Sequence, residues 1–262
     1  KDSVVEKPER PAFESSSLID NQTNVLFNKN TLEVMMQHRF GAIDGENTLL
    51  GIYGPSNIRI GATYSILDWL TVGYGITKKN ITSDFSLKVR LLNQTRSGSI
   101  PLSITYYGNA AIDGRSGKNG DNAGFLTRQD RYSYFHQLIF AKRFSPDFSF
   151  QIAPSMTHYN AADFGNENDR FAVAFGGRYK ISPNTSLILD YSQPITKLND
   201  NSNNDPGISL VAVFSTSGHA FQVFIANYNG ILPQYNNMND ANDFFSKGGI
   251  LIGFNITRRY SF

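Results

Sequence analysis

The chain has 262 residues, a formal net charge of +2, 18% charged and 13% aromatic residues, and no cysteine. That balance excludes disulfides, thiolate metal sites and a lipidated N-terminal cysteine, and with no dense Lys/Arg run it gives no footprint for nucleic acid. Soluble domains usually carry about 25% charged residues, yet no stretch here approaches the ~20 apolar residues of a transmembrane helix.

Residues 1–30 differ from the rest. Lys7-Pro8-Glu9-Arg10-Pro11 is an extended polar leader, followed by Ser15-Ser16-Ser17 and an apolar patch at Val25-Leu26-Phe27. This segment is expected to hang in the periplasm or to plug a barrel mouth. Lys1-Asp2-Ser3 lacks a hydrophobic signal core, so a chain whose signal peptide has been removed is expected. Asp2-Ser3-Val4 resembles a short O-glycosylation sequon of exported Bacteroidota proteins.

From Thr31 onward the pattern alternates with period two. Strands are predicted near 31–40, 57–66, 70–78, 83–92, 99–109, 131–144, 148–158, 169–181, 185–192, 207–215, 219–229 and 248–262. In the second, Ile58, Ile60, Ala62, Tyr64 and Ile66 alternate with Arg59, Gly61, Thr63 and Ser65. In the eighth, Phe171, Val173, Phe175, Gly177, Tyr179 and Ile181 alternate with Arg170, Ala172, Ala174, Gly176, Arg178 and Lys180. Polar and small residues on one phase suit a crowded, wet interior; the large apolar phase suits lipid. A soluble sandwich also alternates, so the connections decide.

Ile66-Leu67-Asp68-Trp69, Phe144-Ser145-Pro146-Asp147 and Ile181-Ser182-Pro183-Asn184 are short turns, with Pro presetting a tight reversal. Long polar loops lie at 41–56, 110–130, 159–168, 193–206 and 230–247; Lys78-Lys79-Asn80 is a short one. Short turns at one end and long loops at the other are the pattern of outer-membrane barrels. With the first strand running outward, every long loop falls outside and every Ser-Pro turn in the periplasm. The prediction is an all-β, transmembrane, antiparallel up-and-down β-barrel of about twelve strands over residues 31–262, in the cell outer membrane.

The last run, Gly249 to Phe262, carries Ile250, Ile252, Phe254, Ile256, Tyr260 and Phe262 on one phase, broken by Arg258. It resembles the closing strand of bacterial outer-membrane barrels, which implies that Tyr260 and Phe262 form the membrane-insertion signal. The run Ile58 to Gly75, with His38-Arg39-Phe40-Gly41 and Phe171 to Lys180, resembles an outer-membrane β-barrel family of the Bacteroidota, a domain-of-unknown-function group. The resemblance implies fold and location and carries no activity.

The polar phase assigns Arg39, Arg59, Lys88, Arg90, Arg143, Arg170, Arg178, Lys180 and Arg259 to the lumen, against Glu33, Asp84 and Asp190. A basic, low-dielectric bore attracts anions; the plainer alternative is an interior network that fills the barrel. At about eight strands side chains fill the bore, whereas 16–18 strands leave a channel. Twelve lies between.

A lipid-modifying enzyme would need a histidine followed two positions later by serine, and His38, His136, His158 and His219 lack that serine. Catalysis is therefore not expected; His38, His136 and His158 read as interfacial side chains. The Asp163 to Asp169, Asn199 to Asp205 and Asn236 to Asp243 clusters read as solvated turns, and no metal or other cofactor is expected. Aromatic belts are expected at Trp69, Phe144, Phe148, Tyr179, Phe221, Tyr260 and Phe262 near the periplasm. The outer belt is assigned to Phe40, Tyr106, Tyr132, Phe171, Tyr191 and Tyr228. The functional expectation is a passive channel for small anionic solutes. Its rival is a closed barrel that serves as a structural or partner subunit of an envelope complex, with the leader docking the partner. Expected partners are outer-membrane lipid and lipopolysaccharide and the barrel-insertion machinery, with no nucleic acid.

Overall fold

A computed structural model describes residues 6–43, 49–115, 125–239, 241, 243 and 248–262; Asp2, Ser3 and Val4 lie outside the described residues. Twelve antiparallel strands close into one barrel, each paired to its sequence neighbours and β1 paired to β12. They are β1 (Thr31–Ala42), β2 (Asn57–Leu67), β3 (Leu70–Thr77), β4 (Thr82–Leu92), β5 (Ser103–Ile112) and β6 (Tyr132–Arg143). The second half is β7 (Phe148–Tyr159), β8 (Asp169–Ser182), β9 (Thr185–Pro194), β10 (Gly207–Ser215), β11 (His219–Ala226) and β12 (Leu251–Ser261). Among the described residues one short α-helix, α1 (Pro233–Asn237), sits in the β11–β12 loop. No helix of the described residues is long and apolar enough to cross a membrane.

Closure follows from pairing: Thr31 faces Ser261 and Arg39 faces Gly253, so the first and last strands leave no open edge. Alternation then sorts the side chains. Ile60, Tyr74, Phe85, Leu87, Leu189, Leu210, Phe221 and Val223 stand exposed on the outer wall, where in a membrane they meet lipid. Trp69, Phe144, Phe148 and Tyr179 are exposed beside the short turns, and Phe171 toward the long loops.

Three predicted strands shift by three residues or more at an end: the fifth, the eleventh, which stops at Ala226, and the twelfth, which starts at Leu251. The fifth strand begins at Ser103, four residues later than the alternation suggested, because residues 95–100 form their own turn. Thr95 N donates to Ile100 O (3.1 Å) and Gly98 N to Thr95 O (3.1 Å), and Pro101 has no N–H to offer a ladder. The shift moves Tyr106 away from the outer rim to mid-wall, opposite Val89 and Leu138. Tyr228 lies past the end of β11 and is buried, its hydroxyl on Ser209 Oγ (3.1 Å), so it joins the interior and not the outer belt.

The interior also departs from a uniformly wet lining. Phe135 and Ile139 of β6, Ile188 of β9, Val211 and Val213 of β10, Phe224 of β11 and Leu251 of β12 form an inward apolar wall. The remaining wall, β1 to β5, presents Glu33, Gln37, Arg39, Asp84, Lys88, Thr105 and Asn109, all buried. Period-two patterning marks a phase, and an apolar residue on the inward phase reads as noise until something packs on it.

Gly253 shows how tight that interior is. A Cβ there would stand 2.3 Å from the Phe224 ring and 2.7 Å from His38 O, and the backbone carbonyl cannot move aside. Gly253→Ala is expected to destabilise the barrel by about 1–3 kcal/mol, the usual cost of overpacking. Gly218→Ala, whose Cβ would come no closer than 4.0 Å to Arg259 O, should be neutral. The temperature at which the folded band is lost in unboiled electrophoresis measures both, and equal values would sink the argument.

Candidate functional site: a lumen closed from both ends

The N-terminal segment enters the barrel at the end of the short turns, the end that the loop pattern assigns to the periplasm. Glu9 N donates to Gln94 O (2.7 Å) and Arg96 N to Lys7 O (3.1 Å), with Pro8 bridged to Thr95. Glu6 caps the same turn through the Ser97 and Ser99 hydroxyls, and those hydroxyls hold its carboxyl below the usual range. The chain then climbs, reverses at 18–21 and descends. Leu18 N donates to Asn21 O (2.8 Å) and Thr23 N to Ser16 O (2.9 Å), which makes residues 16–23 a hairpin. It returns to the rim where Lys29 N meets Asp68 Oδ1 (2.7 Å).

The barrel holds this hairpin at its tip and along both legs. At the tip, Asp190 Oδ2 accepts from three successive backbone N–H groups, Ile19 (3.0 Å), Asp20 (2.9 Å) and Asn21 (3.2 Å). Its Oδ1 accepts from Asn21 Nδ2 (2.8 Å). Consecutive N–H groups curled around one carboxylate form an anion nest. On the ascending leg Arg178 Nε donates to the Glu14 carboxylate (2.7 and 2.8 Å), and Ser186 Oγ joins it (3.0 Å). Ser16 Oγ bonds Glu33. Lys88 Nζ spans both legs, donating to Ser16 O (2.6 Å) and Val25 O (3.5 Å), and Arg90 Nη2 holds the descending leg at Leu26 O (2.9 Å). Phe13, Leu18, Ile19 and Val25 pack on the apolar wall.

Magnitudes rank these holds. Burying a large apolar side chain contributes about 1.5–3 kcal/mol, while ordering each residue costs about 1–2 kcal/mol. Four apolar side chains do not outweigh the ordering of the whole segment, so the charge-assisted anchors decide whether it stays.

From the other end the β11–β12 loop folds inward. Ile231, Leu232, Gln234 and Asn237 are buried, and Pro233 opens α1 at the position where its missing N–H costs nothing. Gln234 Nε2 donates to Asn109 Oδ1 (2.6 Å), Asn237 Nδ2 to Thr157 Oγ1 (3.1 Å), and Arg170 Nη1 to Asn237 O (2.7 Å). The two insertions touch: Asn236 Nδ2 donates to Asp20 Oδ1 (2.6 Å).

The sequence-derived lumen residues therefore fall into separate groups. Arg39 is fully buried on Asn255 Oδ1 (2.9 Å), with Ile19 O at 3.4 Å and its guanidinium 4.5 Å from the Phe224 ring. Arg59 pairs with Asp84 (2.7 Å) and lies across Gly61 and Gly75, where any Cβ would overlap its guanidinium. Glu33, Lys88, Arg90, Arg178 and Asp190 hold the hairpin; Arg170 holds the outer loop. Arg143, Lys180 and Arg259 stand at the periplasmic mouth. Tyr260 and Phe262 are exposed beyond them, with Phe262 N on Asn30 O (3.1 Å). Sequence reasoning missed Glu14 and Asp20, acidic residues that the hairpin brings into the bore, because no strand phase covers them.

Three hollows remain. A periplasmic vestibule of about 540 Å³ is lined by Arg10, Glu14, Arg143, Arg178, Lys180 and Arg259 among others. An outer vestibule of about 510 Å³ carries Asp113, Arg115, Asp130, Arg131 and Asp163. Between them the waist keeps about 50 Å³, enclosed by Asp20, Glu33, Lys88, Ile231 and Pro233. On the outer wall His136 Nδ1 meets Tyr106 Oη (2.7 Å) and His158 meets Asp169 (2.8 Å); no serine hydroxyl partners these rings among the described residues. Nor do three Asp, Glu or His side chains converge there as metal ligands.

Comparison with known proteins agrees with this architecture. The family described as a membrane-bound β-barrel domain (DUF5777) matches residues 13–260. No curated protein matches the sequence. Among solved structures, the COG4313 outer-membrane channel of Pseudomonas putida F1 is 12% identical, with TM-score 0.52, covering 90% of this chain and 97% of that one. The NanC porin is 8% identical, with TM-score 0.52, covering 88% and 100%. A KdgM porin in complex with disordered oligogalacturonate is 7% identical, with TM-score 0.50, covering 88% and 99%.

Asp190→Asn keeps the size of the anchor and removes its charge. Hydrogen bonds to a charged group contribute about 1.5–3 kcal/mol against about 1 for neutral ones. The hairpin should accordingly loosen by about 1–2 kcal/mol. Amide exchange of residues 16–23 would quicken roughly tenfold while strand amides keep their protection; unchanged hairpin exchange would remove Asp190 as its anchor.

Proposed function

The chain belongs to the DUF5777 family of membrane-bound β-barrels, and from that premise we propose that it is a narrow outer-membrane channel for small anionic solutes, closed in this state by its N-terminal hairpin. The observation that carries this is the shape of the lumen. Two vestibules of about 540 and 510 Å³ open toward opposite ends, and the hairpin and the α1 loop, neither part of the wall, pack between them against inward wall side chains such as Lys88 and Tyr107. A wall of twelve strands closes without either insertion.

The charge follows the same logic. Lys88, Arg90 and Arg178 each donate to the hairpin. When it leaves, those three cations face the bore together with the carboxylates of Glu33 and Asp190, and a low-dielectric bore with that surplus of cations favours anions. The insert is thus the obstruction, and through Glu14 the counter-charge of Arg178. Proposed in this way, the protein acts without catalysis and without a cofactor, in a Bacteroidota outer membrane.

The closed-barrel alternative is favoured by the packed waist. Its version in which the leader reaches a partner is weakened by the leader itself, because residues 6–9 are engaged with the barrel's own turn at 94–96.

Planar-bilayer recording separates these readings. The intact chain is expected to conduct rarely or weakly, and deletion of residues 1–28 to raise conductance several-fold with a preference for anions. In the truncated barrel Lys88→Gln with Arg90→Gln should move the reversal potential toward zero. Silence in both forms would leave the closed barrel as the better account.

A further inference from the structure

The periplasmic vestibule is more basic than the hairpin it shelters can use. Arg10, Arg143, Arg178, Lys180 and Arg259 line it, and Glu14 is the one carboxylate among its described lining residues. The five come from the N-terminal segment, β6, β8 and β12, and the topology brings them to a single mouth. Arg143 is steered by Ser145 O of the turn that follows it (3.2 Å) and Arg259 by Ser217 O of the neighbouring β10–β11 turn (3.0 Å), which fixes them without neutralising them. Lys180 has no side-chain partner among the described residues.

Arg178 adds an independent sign. It is only 5% exposed. Its Nε and Nη2 serve Glu14, while its Nη1 is buried with no hydrogen-bond partner. A buried guanidinium N–H without an acceptor is unusual, because leaving a charged donor unmet is costly. Hydroxyls of Ser215, Thr216 and Ser261 on the same rim could supply further hydrogen bonds.

We propose that this vestibule is a binding site for a small oxyanion, a phosphate or a solute bearing one, with Arg178 as its deepest donor and Lys180, Arg143 and Arg259 as its rim. Guanidinium forks match two oxygens of one oxyanion at once, which a chloride ion cannot reproduce. Glu14 already occupies part of Arg178, so the ligand and the Glu14 carboxylate compete for it. Binding does not require the bore to conduct; the site stands or falls separately from the channel.

The test is calorimetric titration of the whole detergent-solubilised chain with inorganic phosphate at fixed ionic strength, sodium chloride serving as the control. Saturable phosphate binding is expected, weakened about tenfold by Lys180→Gln and again by Arg259→Gln, since each removes one charge-assisted contact. Glu14→Gln is the distinguishing variant. It removes the competing carboxylate and should tighten binding several-fold, where a merely structural pair would give no change or a loss. Should that variant fail to assemble, Lys180→Glu places a carboxylate on the rim away from the hairpin and should abolish binding. Heat that does not saturate, an equal response to chloride, or affinity indifferent to Lys180 and Glu14 would overturn the assignment.

Discussion

Everything in this molecule follows from the closure of β1 on β12. A membrane offers backbone groups no water, so strands cross it only when each N–H and C=O finds a neighbour and no edge is left. Twelve strands meet that condition, but they enclose a bore wider than wall side chains alone can fill. Material must enter from outside the wall or water must stay. Here both happen: segments of the chain fill the middle, and hollows persist at the two ends.

The filling explains the chemistry of the wall. An inward arginine or lysine in a dry lumen is costly unless it is paired, and a plug made of backbone offers carbonyls wherever they are needed. Lys88 and Arg90 take hairpin carbonyls, Arg170 takes one from the outer loop, and Asp190 takes the hairpin's N–H groups instead. The apolar side of the lumen, β6 to β12, receives Phe13, Leu18 and Ile19. Wall and insert are complementary by charge and by packing together: Lys88 and Arg90 hold the insert from β4, Arg178 and Asp190 hold it from β8 and β9, and the apolar side chains pack between them. The mouth at the short-turn end keeps more cations than carboxylates, Glu14 being the one carboxylate among its described lining residues.

Much of the architecture was legible in the alternation itself. Strands β2, β7 and β8 fall within a residue or two of where Ile58 to Ile66, Phe148 to His158 and Asp169 to Ile181 placed them. The Ser-Pro turns reported the end of the barrel at which they sit. Where the pattern misled, a local hydrogen-bond group had replaced a ladder. Residues 95–100 close on themselves and displace β5, and Tyr228 turns inward to Ser209. The phase of Arg39, Arg59 or Arg178 could be read from the chain, but not the partner of each. Glu14, Asp20 and Asn236 are 164 or more residues distant from, or on another element than, the groups they meet.

By itself the sequence determined the class, the strand count, the two faces of the wall and which connections are short. Those depend on period two and on turn residues, which act over a few neighbours. The tertiary structure decided what the lumen contains. Whether residues 6–30 hang free or fold inside depends on contacts such as Asp190 with Ile19, Asp20 and Asn21, and no local pattern encodes a contact across the bore. It also decided which inward cations are neutralised and which remain at the mouth, because that depends on where the insert stops.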